Sequence, residues 1–247
     1  MVIGYNSCVA DGARDAVAVV IPALDEEPVI ATVVTAARSR LRPDRDEVIV
    51  VDNGSTDRTG ARAAAAGARV VREPRAGYGR ACWAGVLAAR AGVLVFIDGD
   101  GADDPAGIEA VAGPVLGAEA DLVVGVRDAA RRERGSMTWL QRQGNLVARL
   151  AVRLLLGRRI GDIGPLRAVR REDLLALEMS EMTYGWSTEM TVKALRAGYR
   201  YREVPVPYAR RVGRSKVSGN AVASVRAGTR ILSAIGRHHR WRPRAIA

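Results

Sequence analysis

Val93-Leu94-Val95-Phe96-Ile97-Asp98-Gly99-Asp100-Gly101 joins five consecutive apolar residues to two carboxylates spaced i,i+2. An apolar run of this length reads as a strand buried on both faces, as in a parallel sheet covered by helices. Side chains two apart on a strand point the same way, so both acids face one side where the strand gives out. Ligands of open α/β sheets bind just past the carboxyl ends of the strands. Asp98 and Asp100 are therefore candidate ligands for one divalent cation, and hard oxygen donors suit Mg²⁺ or Mn²⁺ bridging to a diphosphate. Without a cation the two would repel and raise each other's pKa. The bland alternative is a solvated acidic turn, since four acids fall between Asp98 and Asp104.

The same grammar repeats on either side of this stretch. Val17 to Ile21 reads as a first strand, Pro22 to Pro28 as a loop holding Asp25, Glu26 and Glu27, and Val29 to Arg40 as a helix. Val48 to Val51 is a second strand. The turn Asp52-Asn53-Gly54-Ser55-Thr56-Asp57 follows it, with Ser and Thr placed to cap a helix from Arg58 to Ala66. Ala68 to Val71 is a third strand, and Gly77-Tyr78-Gly79 opens a helix reaching about Ala91. Val93 to Asp98 is the fourth strand, and Leu122 to Gly125 the fifth. Strands alternating with helices give a doubly wound, mostly parallel α/β sheet with helices on both faces. Residues 17–127 form the nucleotide-binding half in this reading, after a flexible lead-in at 1–16.

Beyond Arg127 the pattern changes. Residues 128 to 136 are charged and read as a mobile loop, and Thr138 to Leu156 as an amphipathic helix. Asp162 to Val169 reads as a turn entering a strand, Trp186 to Ala197 as a helix, and Tyr199 to Tyr208 as an edge strand, where Pro205 and Pro207 are tolerated. Residues 128–220 make a second, acceptor-side half, and 221–247 a basic amphipathic helix and tail. Either amphipathic helix suits a membrane surface or docking on the body of the protein.

The chain has 247 residues and a formal net charge of +11. Residues 190 to 247 hold 14 Lys/Arg against Glu203 alone, or +13, which leaves −2 for all that precedes. Such a block meets nucleic acid, anionic lipid or a phosphorylated substrate. Aromatics are 4% of residues, which provides few stacking platforms for nucleic-acid strands, and no nucleic-acid partner is expected. Cys8 and Cys82 have no metal-ligand spacing and are expected as reduced thiols. His238 and His239 sit in an Arg-rich tail and are expected in water. No stretch is long and apolar enough for a spanning helix or a signal peptide. The expectation is a cytoplasmic protein, at most peripheral on the inner face of a membrane.

Several segments together resemble one family. Val20-Ile21-Pro22-Ala23-Leu24-Asp25-Glu26-Glu27, Val50 to Asp57, Gly77-Tyr78-Gly79-Arg80-Ala81 and Phe96 to Gly101 are similar, in order, to the motifs of family 2 glycosyltransferases of the GT-A fold. Gly125-Val126-Arg127, Asp162 to Arg167, Tyr184 to Met190, Glu203 to Tyr208 and Arg211 to Lys216 resemble its dolichol-phosphate mannosyltransferase, or polyprenyl-phosphate glycosyltransferase, branch. The likeness runs from residue 17 to about 220.

The resemblance implies a metal-dependent inverting transfer of a hexose from a UDP- or GDP-linked donor to a polyprenyl or dolichyl phosphate or another lipid acceptor, with the same chemistry on a soluble or glycolipid acceptor as the runner-up. It implies that Pro22, Ala23, Leu24, Asp25, Glu26, Asp52, Gly77, Arg80, Asp98 and Gly99 hold the nucleotide sugar, with Asp98 and Asp100 on the metal. Arg127, Arg142, Arg211, Arg214 and Lys216 would meet phosphates. Asp162 is the candidate for orienting or deprotonating the acceptor, and Glu189 for a place near the reacting sugar. The chain departs from many members at Asp25, where Asn is common, and at Ala102, where a ligand-capable residue is common.

Three other readings remain open on residues alone. A phosphatase of the haloacid dehalogenase type shares the Asp-x-Asp strand end, but carries it on its first strand. A basic binding module explains the tail but not the acids. A dinucleotide-dependent oxidoreductase lacks its third glycine after Gly77 and Gly79.

Overall fold

A computed structural model of the chain describes residues 13–212 and 221–243. Seven strands form one sheet in the order β3-β2-β1-β4-β6-β5-β7. β1 (Val17–Ala23), β2 (Glu47–Asp52), β3 (Arg69–Arg72) and β4 (Val93–Phe96) pair in parallel. β5 (Leu122–Arg132) pairs in parallel with β7 (Tyr201–Tyr208), which closes the edge as its prolines require. β6 (Arg167–Arg170) lies between β4 and β5 and runs against both, so six strands share one direction and one is reversed. The mostly parallel α/β sheet read from the sequence is the observed one. Both sequence halves contribute strands to it.

The strand period explains the layers. Val17, Val19 and Ile21 face one side, with α1 (Ile30–Arg38) and α4 (Gly107–Leu116); Ala18 and Val20 face the other, with α3 (Tyr78–Ala88) and α7 (Trp186–Ala197). Every residue of β1 is buried, and at roughly 25 cal/mol per Å² of apolar surface such strands supply much of the folding energy. α2 (Thr59–Ala65) and α6 (Arg171–Ala176) fill the remaining crossovers. α5 (Trp139–Leu156), α7 and α8 (Ala221–His238) meet in a separate cluster of Ala148, Val152, Val192 and Ile235.

Three expectations change. The charged segment 128–132 is strand, not loop: Arg132 pairs with Tyr208 across an irregularity after Arg127, and the Glu133 amide donates to the Tyr208 carbonyl at 2.8 Å. Backbone pairing with an edge strand outweighs a charged composition there. Ser55 and Thr56 do not cap α2, which has no side-chain cap; they bind Asp25 instead, the Ser55 hydroxyl accepting from its amide at 3.0 Å and the Thr56 amide donating to its carboxylate at 2.7 Å. His238 is buried rather than solvated, because α8 lies with that side on α7 and puts Nε2 3.3 Å from Glu189. α8 buries Ala234 and Ile235 fully while its Leu232 is exposed, and Leu146, Leu150 and Leu154 of α5 are exposed as well.

Cys8, Arg214 and Lys216 lie outside the described residues, as does most of the lead-in at 1–16. No described helix is long and apolar enough to cross a membrane.

Candidate active site

The parallel strands β1, β2 and β4 deliver their carboxyl ends to one cavity of about 590 Å³. Its floor carries Pro22, Ala23, Leu24 and Glu26 after β1, Asn53 after β2, and Asp98, Gly99 and Asp100 after β4. Gly77 and Tyr78 at the start of α3 close one side. Glycine is required there: a Cβ at Gly77, whose φ is +149°, would stand 2.4 Å from the Met182 carbonyl, and one at Gly79 2.3 Å from the Glu181 carbonyl. The helix start can then approach the 181–182 backbone, and the Arg80 amide donates to Met182 at 3.1 Å.

Asp98 and Asp100 both face this cavity. The Tyr78 hydroxyl donates to Asp98 at 3.0 Å, and the Asp98 amide donates to the Asp103 carboxylate at 3.2 Å. Burial and then the neighbouring Asp100 push the Asp98 carboxyl up to about 7. Burial and the same two carboxylates push Asp103 well above the ordinary carboxyl range, and its Oδ1 has no hydrogen-bond partner among the described residues. Among the described residues Arg211 is the cation in reach, 3.4 Å from Asp100 and 3.0 Å from Glu26. An acidic pair at this cost is relieved by a divalent ion. Two hard oxygen donors fit Mg²⁺ or Mn²⁺ that takes its other ligands from phosphate oxygens and water. Among the described residues no group of three or more His, Cys, Asp or Glu is arranged to hold a metal by itself.

Arg127 reaches the cavity from β5. Burial works against its charge, yet Asp162 holds it firmly protonated through two side-chain bonds of 2.7 Å. Its guanidinium stands 5.2 Å over the Tyr208 ring, a geometry that adds a cation–π attraction. The opposite wall brings Thr183, Ser187 and Thr188. The hydroxyls of Thr183 and Thr188 are buried and have no hydrogen-bond partner among the described residues. The Asn53 amide donates to the carbonyls of Glu73 and Arg75, each at 2.8 Å, and its oxygen accepts from Gly77 at 2.9 Å. It thereby fixes the segment leading into α3.

One turn further along α3 from Tyr78, Cys82 is a free thiol, fully buried and pushed well above the ordinary thiol range by that burial.

The sequence-predicted residues divide accordingly. Pro22, Ala23, Leu24, Glu26, Gly77, Asp98, Gly99, Asp100, Arg127 and Arg211 line the cavity; Asp25, Asp52, Arg80, Arg142, Asp162 and Glu189 do not. Asp52 turns back on its own loop and accepts from the Ser55 amide at 2.8 Å. Arg142 lines a smaller cavity of about 220 Å³ with Arg132 and Arg134. Burial opposes ionisation of Asp162, but Arg127 keeps it below the usual carboxylate range, which makes it a poor proton acceptor. Glu189 is fully buried: burial opposes its charge, while Lys193 at 2.8 Å and the amides of Ser180 and Glu181 keep it ionised.

Asn53, Tyr78, Tyr208 and the Thr183–Thr188 wall were not singled out as site residues from the sequence. Tyr78 lies inside a quoted motif, and Tyr208 ends the predicted edge strand, so both had a local signal. Ser187 and Thr188 fall within the quoted Tyr184 to Met190 segment, while Thr183 had no such signal.

Comparison with known proteins accords with this geometry. The family model "Glycosyl transferase family 2" matches residues 18–177. An uncharacterized glycosyltransferase of Mycobacterium tuberculosis is 41% identical over 216 residues, covering 86% of this chain and 94% of the relative. A dolichyl-phosphate hexose transferase of Haloferax volcanii is 36% identical over 206 residues, covering 82% and 87%. Among solved structures, glucosyl-3-phosphoglycerate synthase from M. tuberculosis in complex with Mn²⁺, uridine diphosphate and phosphoglyceric acid superposes with a TM-score of 0.71 at 27% identity, covering 92% of this chain and 82% of that one. A complex of the same enzyme with Mg²⁺ and uridine diphosphate gives 0.70 at 28% identity, covering 92% and 83%.

Proposed function

The chain belongs to glycosyl transferase family 2, and from that premise we propose that this glycosyltransferase moves a hexose, with inversion, from a UDP- or GDP-linked donor to a polyprenyl or dolichyl phosphate. The observation that carries the reading is the Asp98–Asp100 pair, open to the cavity at the end of β4 and flanked by Arg127 and Arg211. Family membership removes the phosphatase, oxidoreductase and simple binding-module alternatives.

Each group has a task in this scheme. The β1 loop and the Asn53 turn hold the nucleoside over the strand ends. Asp98 and Asp100 would hold Mg²⁺ or Mn²⁺, which would supply positive charge to offset the negative charge growing on the departing diphosphate. Arg211 bridges Glu26 and Asp100 and can turn from these carboxylates to a phosphate. Arg127, aimed by Asp162 and Tyr208, presents a fixed guanidinium to the phosphate of donor or acceptor. The unpartnered Thr183 and Thr188 hydroxyls offer hydrogen bonds to the sugar.

A phosphate acceptor is already anionic and needs little help from a base. That suits a cavity whose sequence-predicted bases, Asp162 and Glu189, lie outside its lining and are both engaged with cations. The lipid acceptor is supported by the dolichyl-phosphate relative. A soluble phosphorylated acceptor is the second reading, supported by the phosphoglyceric acid bound in the structural relative.

The test is melting temperature against UDP, GDP and their sugars, with and without Mn²⁺, followed by product detection with a short polyprenyl phosphate and with phosphoglyceric acid. A metal-dependent shift by one nucleotide and a lipid-linked hexose product are expected. Absence of any metal-dependent nucleotide shift overturns the donor assignment, and turnover of the soluble acceptor alone overturns the lipid one.

A further inference from the structure

We propose that the outward face of α5 is a docking surface for an anionic lipid bilayer, and that it sets the mouth of the cavity at the level of the headgroups. This deepens the lipid-acceptor reading and rests on it. At 100° per residue, Leu146, Trp139, Leu150, Leu154, Val147 and Leu140 fall within an arc of about 120°, and they are 37–74% exposed. The helix packs on the body through the opposite side, by Ala148 and Val152. An apolar patch of this kind on a soluble domain marks an interaction surface.

Charge names the occupant. Arg142, Arg149 and Arg153 follow one flank of the arc, Arg158 and Arg159 lie just past its end, and all five are exposed. Between residues 134 and 161 there are six arginines and no acid. Anionic headgroups answer the arginines while the acyl boundary takes the leucines and Trp139, the division of labour of an interfacial helix. Nucleic acid would satisfy the arginines and leave the apolar arc in water. A second copy joined through this face would bring two basic flanks together.

The face is continuous with the cavity. Leu140 belongs to both, and Gln141, Gly144 and Asn145 of α5 line the cavity beside it. Gly144 and Gly228, from α5 and α8, both line it, and among the described residues no atom beyond the helix's own nearby backbone lies within 4 Å of where a Cβ would sit on either. The cavity therefore opens between two helices next to the apolar arc, where an acyl chain can trail from a phosphate held inside.

Flotation of the full chain with vesicles of phosphatidylcholine alone, or with phosphatidylglycerol added, tests the proposal. Wild type is expected to partition at least about tenfold better onto the anionic vesicles. Leu150→Glu/Leu154→Glu is expected to lose that binding about tenfold or more, and Arg153→Gln/Arg158→Gln to lose the preference for phosphatidylglycerol. Both variants should keep the wild-type melting point and the Mn²⁺-dependent nucleotide shift. Equal binding of the leucine variant, no binding of wild type, or a wild-type dimer that the leucine variant converts to monomer in light scattering would each overturn the proposal. The nucleotide shift and transfer to a short soluble acceptor without vesicles read the enzymatic assignment separately, so either can fail alone.

Discussion

Two sets of acids in this fold are answered in opposite ways. Asp162 and Glu189 are buried and each meets a cation of the chain itself, Arg127 at 2.7 Å and Lys193 at 2.8 Å. Neither lines the cavity. Asp98 and Asp100 do line it, yet Asp98 meets a phenol and other carboxylates, and among the described residues Arg211 is the cation beside Asp100, at 3.4 Å. The difference separates structure from chemistry. Charges already compensated hold walls in place, whereas an acidic pair left under mutual repulsion is kept for a ligand that arrives from outside.

The largest test of this contrast is Asp98→Asn. Transfer is expected to fall about a thousandfold, roughly 4 kcal/mol in the barrier, while the melting temperature stays level or rises, because a strained ionisation has been removed. A variant that loses stability in step with activity would erase the distinction. Arg127→Met should do the reverse in folding: it leaves Asp162 buried without its counter-charge, with an expected loss of about 3 kcal/mol in urea denaturation. A loss below about 1 kcal/mol would mean the pair is solvated.

Acidity sharpens the contrast further. The folded chain holds a proton on Asp98 up to about pH 7, whereas an ordinary aspartate releases it near 3.8. Ionising Asp98 therefore opposes folding as pH rises through that window, and a metal must compete with the proton below 7. Mn²⁺ affinity, followed by electron paramagnetic resonance, should climb about tenfold per pH unit below 7 and level off above it. The smallest effect concerns Asp25, where the Ser55 hydroxyl and the Thr56 amide are the partners at 3.0 and 2.7 Å. Ser55→Ala should cost about 1 kcal/mol by the same denaturation measurement.

The strands were legible because their apolar runs need no partner to be recognised, and the Asp98–Asp100 pair because it ends one of them. The reversal of β6 was not legible: a short Arg-Ala-Val-Arg segment carries no direction, and Arg167 is buried only because the carbonyls of Pro165 and Ser187 and the Thr191 hydroxyl converge on it. Asp162 and Glu189 looked catalytic for a related reason. An acid in a motif declares its charge but not its partner, and Arg127 lies 35 residues from Asp162 in the chain. His238 was misplaced because an Arg-rich tail reads as solvated until α7 is there to receive it. The apolar stripe of α5 was visible, but which of its sides faces out depends on Ala148 and Val152 fitting against α7 and α8.

Cys82 gives the cavity floor a built-in reporter. Its sulfur is sealed between α3 and the sheet, directly behind the tyrosine that touches Asp98. In a Cys8→Ser background, a maleimide can react only during moments when α3 lifts away. Labelling speed then counts those openings one by one, and a nucleotide that clamps the floor should slow the clock.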